Sequence, residues 1–221
     1  KALQTIPSGS YRAESFLDDD GVEIGKPIRI AGRVEVRKDR MVIDFSDINE
    51  QVKGSLNSGF YGGAMNVARI AFKCLTTPHL PSNEGCFRPL EVICPPGKLL
   101  SALPPAALGD WAVPFPTVLD TIFHSLADAI PDRIPAATRG DARGIVVVGL
   151  NQAKRKFFSL HLPHIGGHGG RPASDAPAPR CAIQQGDMYG VPVEVNESKS
   201  PVVIEKYELR QDSGGAGKFR G

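Results

Sequence analysis

The four cysteines, Cys74, Cys86, Cys94 and Cys181, form no CxxC pair and no other paired metal spacing. Scattered thiols of this kind read as buried residues in a reducing compartment, not as a disulfide frame or a zinc site. No apolar run approaches the ~18–20 residues of a membrane span, and no signal-peptide pattern is present. Charge of one sign is missing too: 26 basic side chains stand against 24 acidic ones, leaving +2. No field of that size points to nucleic acid. Together these gaps predict a cytoplasmic chain with neither a nucleic acid nor a membrane as partner.

Familiar catalytic signatures are lacking as well. There is no G-x-S-x-G elbow and no H-E-x-x-H. The Gly-rich stretch from Asp212 to Gly221 invites comparison with a phosphate loop. However, G-x-x-x-x-G-K-[ST] would need glycine where Asp212 stands and a hydroxyl where Phe219 stands. Asp18-Asp-Asp-Gly21 is too short for an EF-hand loop and reads as a solvated turn. No residue is therefore assigned as a metal ligand.

The sequence has 221 residues, 41% of them hydrophobic and 23% charged, which is ordinary for a globular protein with a sizeable core. Its 24 glycines and 19 prolines favour loops and short strands over long helices. Residues 7–26 read as turn-rich. From Ile28 to Val36 and from Met41 to Phe45 the apolar spacing predicts a β-hairpin around a charged turn at 37–40. Asn57-Ser58 can cap a helix running to Leu75, and Leu90–Cys94 reads as a short buried strand. Thr117, with Asp120 three residues on, forms a capping-box variant for a helix to Ile130, with Phe123 on its apolar face. Three further strands are expected: a fully buried one at Ile145–Val148, an alternating one at Phe157–Leu162, and a last one at Val202–Leu209. The sum is an α+β fold of mixed, largely antiparallel sheets with hairpins and a few amphipathic helices, with no internal domain boundary.

One constellation carries chemistry: His164-Ile-Gly-Gly-His168-Gly-Gly-Arg171-Pro-Ala-Ser-Asp175. Imidazoles titrate near neutral pH and suit proton transfer, and a guanidinium clamps a carboxylate or phosphate through its planar fork. Flanking glycines let a ligand approach the backbone closely. Equally, the stretch reads as a long surface loop whose histidines bond backbone carbonyls. A second cluster, Asn83-Glu84-Gly85 with Arg88, reads as a turn in which Arg88 pairs with Glu84. The terminal Gly-rich segment, with Asp212, Lys218 and Arg220 interleaved, suits convergence of backbone N–H groups on an anion or a neighbouring chain.

The order of Gly9-Ser-Tyr11, Leu17-Asp-Asp-Asp-Gly21, Ile43-Asp-Phe-Ser46, Gly54-Ser-Leu-Asn57, Pro81-Ser-Asn-Glu-Gly85, Arg88-Pro89 and Pro95-Pro-Gly97 resembles the hydantoinase B/oxoprolinase family. The resemblance continues through Asp120, Ala129-Ile-Pro-Asp-Arg133, Gly166-Gly-His-Gly-Gly170, Pro192-Val-Glu194 and Asp212-Ser-Gly-Gly-Ala-Gly217. It implies one half of an ATP-dependent enzyme that opens a small cyclic amide such as a hydantoin or 5-oxoproline. The implied partner is a hydantoinase A-type ATPase subunit, which binds ATP and Mg and activates the substrate. Acetone and acetophenone carboxylases are similar to this family, so a ketone carboxylase subunit is one alternative and a non-catalytic assembly domain is another.

Two positions depart from the family pattern: Asp47-Ile48 where Gly-Thr is common, and Ala176 after Asp175 where glycine is usual. The resemblance further implies that residues 1–221 are the middle and later portion of a B-type subunit, a fragment of a larger polypeptide. Its upstream His/Asp-rich region, with a divalent metal, is expected to lie outside this stretch, so the isolated chain is expected to be inactive. Within the stretch, His168 is expected to move a proton or polarise the substrate. His164, Arg171 and Asp175 are expected to bind substrate, and Asp212 and Arg220 to order the Gly-rich segment or bind a partner chain.

Overall fold

In the computed structural model, every residue is described except Lys1, 139–143, His164, Ala178, Pro179, Asp187 and Tyr189. Strands β1 (Gly9–Leu17), β2 (Ile28–Val36), β3 (Met41–Asp44) and β4 (Leu90–Ile93) form one sheet in that order. The β1–β2 and β2–β3 pairs are antiparallel and the β3–β4 pair is parallel. A second, two-stranded antiparallel hairpin joins β5 (Gly144–Asn151) to β6 (Lys156–Pro163). Among the described residues the α-helices are α1 (Asn66–Thr76), α2 (Phe115–Ser125) and α3 (Val193–Lys199). Among the described residues no helix is long and apolar enough to cross a membrane.

The hydrophobic core lies between the larger sheet and α1 and α2. Ile28, Ile30, Val34, Val36, Met41 and Ile43 meet Val67, Ala71 and Phe72 of α1, and Phe115, Val118, Leu119 and Ile122 of α2. The predicted β2–β3 hairpin is present. By contrast β1 replaces the expected turn-rich stretch. Its inward face carries Gly9, Tyr11, Ala13, Ser15 and Leu17, with Tyr11 and Leu17 packed on the core, and Ser15 shares a hydrogen bond with Thr121 Oγ1 of α2 at 2.9 Å. The outward Phe16, 55% exposed, blurs the period-2 alternation that would announce the strand.

The helix starts differ from expectation for local reasons. Asn57 caps nothing: its buried amide accepts from Val52 N–H and donates to the carbonyls of Val52, Gly54 and Ala107. The helix is entered instead through one wide turn at Tyr61–Met65. Thr117 lies inside α2, whose first turn holds Pro116, where a missing N–H costs nothing. Regular α-helix stops at Ser125, but Leu126 and Ile130 continue the buried face through turns. Glu84 pairs with Arg69 at 2.8 and 3.0 Å, not with Arg88.

The expected strand at 145–148 is present within β5 but is not fully buried: Ile145, Val146 and Val148 are 48%, 59% and 68% exposed. The expected last strand is absent, since residues 202–209 join no sheet among the described residues.

The Asp18–Gly21 turn is tied down by its own carboxylates. Asp20 Oδ1 accepts the N–H groups of Val22 and Glu23, and Oδ2 accepts that of Gly54 at 2.8 Å. A Cβ at Gly54 would lie 1.8 Å from the Asp20 carbonyl, so only glycine permits this approach.

Candidate functional site

The chain leaves β6 and enters a loop whose base is closed by Gly166 and Arg180. Each donates its N–H to the other's carbonyl at 2.8 Å. Glycine is required inside the loop because two backbones press against it. A Cβ on Gly169 would stand 1.7 Å from the Ala136 carbonyl oxygen, and Ala136 N–H donates to the Gly170 carbonyl at 2.9 Å. On the other side, a Cβ on Gly170 would lie 2.8 Å from the Phe219 carbonyl oxygen. The terminal segment is fastened at Arg220, whose N–H donates to Asp175 Oδ1 at 2.7 Å and whose carbonyl accepts from Ala176 N–H at 2.8 Å.

Between the loop and the terminal segment lies a cleft of about 900 Å³. His168, Arg171, Asp212 and Arg220 all line it, with Arg210 and Lys218. Four cationic side chains thus face one carboxylate, Asp212, across a lining rich in glycine backbone. Such a cleft favours an anionic ligand. Asp175 supports it from behind through the Arg220 bond, and Asp212 turns the backbone there with φ +55°. His164 lies outside the described residues.

His168 is half-buried, and its Nε2 is 2.7 Å from the carbonyl oxygen of Cys181. A carbonyl only accepts, so Nε2 donates here and the neutral ring keeps its lone pair on Nδ1. That tautomer is the one needed if Nδ1 is to take a proton.

Sequence reasoning gave Asp120 only a capping role, but the structure sets it behind this site. Its Oδ2 accepts both the N–H and the hydroxyl of Thr138, at 2.9 and 2.8 Å. Burial pushes the carboxyl above its ordinary value, while the Thr138 bonds and the charge of His168 pull the other way. Residues 136–138 therefore form a wall held by α2 on one side and by the glycine loop on the other. No local motif announces that link, since the partners are 18 residues apart.

Among the described residues no three His, Cys, Asp or Glu side chains converge on a metal position. Among the described residues no strand leads into the Gly-rich segment, as one leads into a nucleotide phosphate loop.

Comparison with known proteins places this architecture. The hydantoinase B/oxoprolinase family pattern matches residues 1–221. The caprolactamase subunit beta of Pseudomonas jessenii is 32% identical over 234 residues, which covers 99% of this chain and 38% of that protein. The crystal structure of the ATP-dependent caprolactamase from the same organism superposes with a TM-score of 0.86 at 29% identity, over 99% of this chain and 38% of that one. A nucleotide-free acetone carboxylase structure shares the fold, with a TM-score of 0.85 at 17% identity, over 100% of this chain and 32% of that one. The chain thus spans about a third of the length of these relatives. With its whole length matched, it belongs to the hydantoinase B/oxoprolinase family.

Proposed function

We propose that residues 1–221 are the middle and later portion of a B-type subunit of an ATP-dependent cyclic amidohydrolase, working with a hydantoinase A-type ATPase partner. The observation that carries this reading is the cleft in which the His168 loop faces the Gly-rich, cation-bearing terminal segment. Similarity along 99% of the chain to a caprolactamase beta subunit supports it.

ATP and Mg would be held by the partner and would supply a phosphoryl group to activate the amide, which would leave as inorganic phosphate once water has added. The chemistry left to this chain is water addition to the amide carbon, cleavage of the C–N bond and protonation of the leaving nitrogen. His168, with Nε2 held by the Cys181 carbonyl, takes the proton of the attacking water on Nδ1 and returns it to that nitrogen. Arg171 holds an anionic substrate or a phosphate group on it, with His164 and Asp175 in support and the other cations of the cleft beside it. Asp212 and Arg220 order the terminal segment.

The test uses the complete two-subunit complex with ATP and a hydantoin, 5-oxoproline or caprolactam. His168→Ala is expected to lower kcat by roughly 10²–10⁴ with little change in thermal stability. Arg171→Lys is expected to raise KM more than it lowers kcat, because a point charge does not reproduce a planar fork. Full activity in both variants would refute the assignment. Fixation of labelled bicarbonate into a ketone, with no amide opening, would give the carboxylase reading instead.

A further inference from the structure

Thr138 lines the large cleft together with His168 and is half-buried there. Both of its polar hydrogens are committed to one atom. Its N–H and its hydroxyl donate to Asp120 Oδ2, at 2.9 and 2.8 Å. A hydroxyl has a single hydrogen to give, so toward the cleft Thr138 Oγ1 can only accept. No donor among the described residues bonds to it.

The position of this acceptor matters as much as its polarity. Residues 136 and 137 press on Gly169, next in sequence to His168. A Cβ there would lie 1.7 Å from the Ala136 carbonyl oxygen and 2.8 Å from that of Ala137. Thr138 therefore follows directly on the segment that touches the histidine loop. The charge of His168 is felt at Asp120, immediately behind Thr138. The remaining lining is dominated by donors, with Arg171, Arg210, Lys218 and Arg220 beside glycine N–H groups. The acceptor side chains of Asp212 and Ser213 stand on the terminal segment, on the far side from the loop. Thr138 thus supplies an acceptor where His168 works.

We propose that Thr138 is a substrate-positioning residue: its hydroxyl, oriented by Asp120, accepts the N–H of the nitrogen that leaves when the amide opens. This rests on the function proposed above for the cleft and adds a residue to it. Once water has added to the amide carbon, that nitrogen is pyramidal, with one hydrogen and one lone pair. Donating the hydrogen to Thr138 Oγ1 fixes the direction in which the lone pair points. The lone pair then takes the proton that His168 holds on Nδ1. The C–N bond breaks with its electron pair going to nitrogen, and an amine leaves with both hydrogens. The N–H swings out of the amide plane only as nitrogen becomes pyramidal, so the contact strengthens in the transition state. Its loss lowers kcat more than it raises KM.

The complete two-subunit complex with ATP tests this on ε-caprolactam and N-methylcaprolactam, which lacks the hydrogen that Thr138 would accept. Thr138→Val is expected to lower kcat on caprolactam roughly 10–100-fold, the kinetic worth of one hydrogen bond to a group left unpaired. On N-methylcaprolactam it is expected to change kcat little, so the preference for the N–H ring collapses. Thr138→Ser is expected to restore that preference to within about threefold of the parent, since it returns the hydroxyl. Asp120→Asn, acting through Thr138, is expected to give the same selective loss in smaller measure. Should Thr138→Val fail to fold, Thr138→Ala takes its place. An undiminished preference in the hydroxyl-free variant, equal losses on both rings, or no rescue by serine would overturn the proposal. A loss in His168→Ala with none in Thr138→Val removes this inference alone. Absence of amide opening by the parent complex removes the proposed function and this inference with it.

Discussion

Gly169→Ala probes whether the loop is pinned where the structure puts it. The added methyl would sit 1.7 Å from the Ala136 carbonyl oxygen, 2.3 Å from its carbon and 2.8 Å from the Ala137 carbonyl oxygen. All three neighbours are backbone, so no side chain can rotate away. Bringing the closest contact out to the 3.0 Å that real methyl groups tolerate needs a retreat of roughly 1.3 Å by one segment. A shift of that size ruptures the Ala136–Gly170 hydrogen bond, worth about 1 kcal/mol net. Overpacking adds about 1–3 kcal/mol. A total of about 2–4 kcal/mol is therefore expected from urea denaturation followed by circular dichroism.

Gly167→Ala is the control, since a methyl there meets the Gly221 carbonyl carbon at 3.5 Å and its oxygen at 4.0 Å, both ordinary contacts. It is expected to stay within about 0.5 kcal/mol of the parent. In the complete complex, Gly169→Ala should also lower turnover, because displacing the loop moves His168. Equal stability and turnover for Gly169→Ala and the parent would mean the loop does not press on residues 136–138, and the cleft as described would fall with it.

Two further outcomes test the core and the N-terminal turn. Phe123→Ala is expected to cost about 3 kcal/mol in urea, the low end for a core phenyl ring, because Phe123 already borders a cavity of about 330 Å³ beside Asp120. A loss below about 1 kcal/mol would mean the ring is not packed in the core. Asp20 is held at about 2, below its ordinary 3.8, chiefly by the N–H groups of Glu23, Gly54 and Val22. A depressed carboxyl stabilises the fold above the unfolded value and loses that contribution as pH falls toward the folded one, so the urea midpoint is expected to drop between about pH 4 and 2. Asp20→Asn is expected to flatten that limb, and superimposable pH profiles would refute the assignment.

What could be read from the sequence follows the range of the forces involved. The β2–β3 hairpin and the buried faces of α1 and α2 are written in apolar periodicity, because each packs one face on a single core. Strand β1 escapes that signal, since Tyr11 and Leu17 on its inner face are separated by Ala13 and Ser15 while the outer face carries Phe16. Conversely, the Ile145–Val148 run looks like a fully buried strand, yet composition cannot report that Ile145, Val146 and Val148 stay largely exposed. The glycine pattern around His168 is visible as sequence, because close backbone approach admits no other residue. The contacts that demand it, with Ala136 and Phe219, are not visible.

The position of Asp120 explains how a glycine loop with little packing of its own can hold a histidine in place. Loops built of small residues belong to the least stable parts of a structure, opening long before the core does. Here α2 is anchored by Phe115, Val118, Leu119 and Ile122, all essentially fully buried. Asp120 on that helix fixes Thr138 through two hydrogen bonds, and Ala136, two residues earlier, fixes Gly170 through a third. The rigidity of the core thus reaches the loop through three polar contacts in place of apolar burial. A wall of this kind places the loop without filling the cleft, which leaves the space beside His168 and Arg171 open to a ligand.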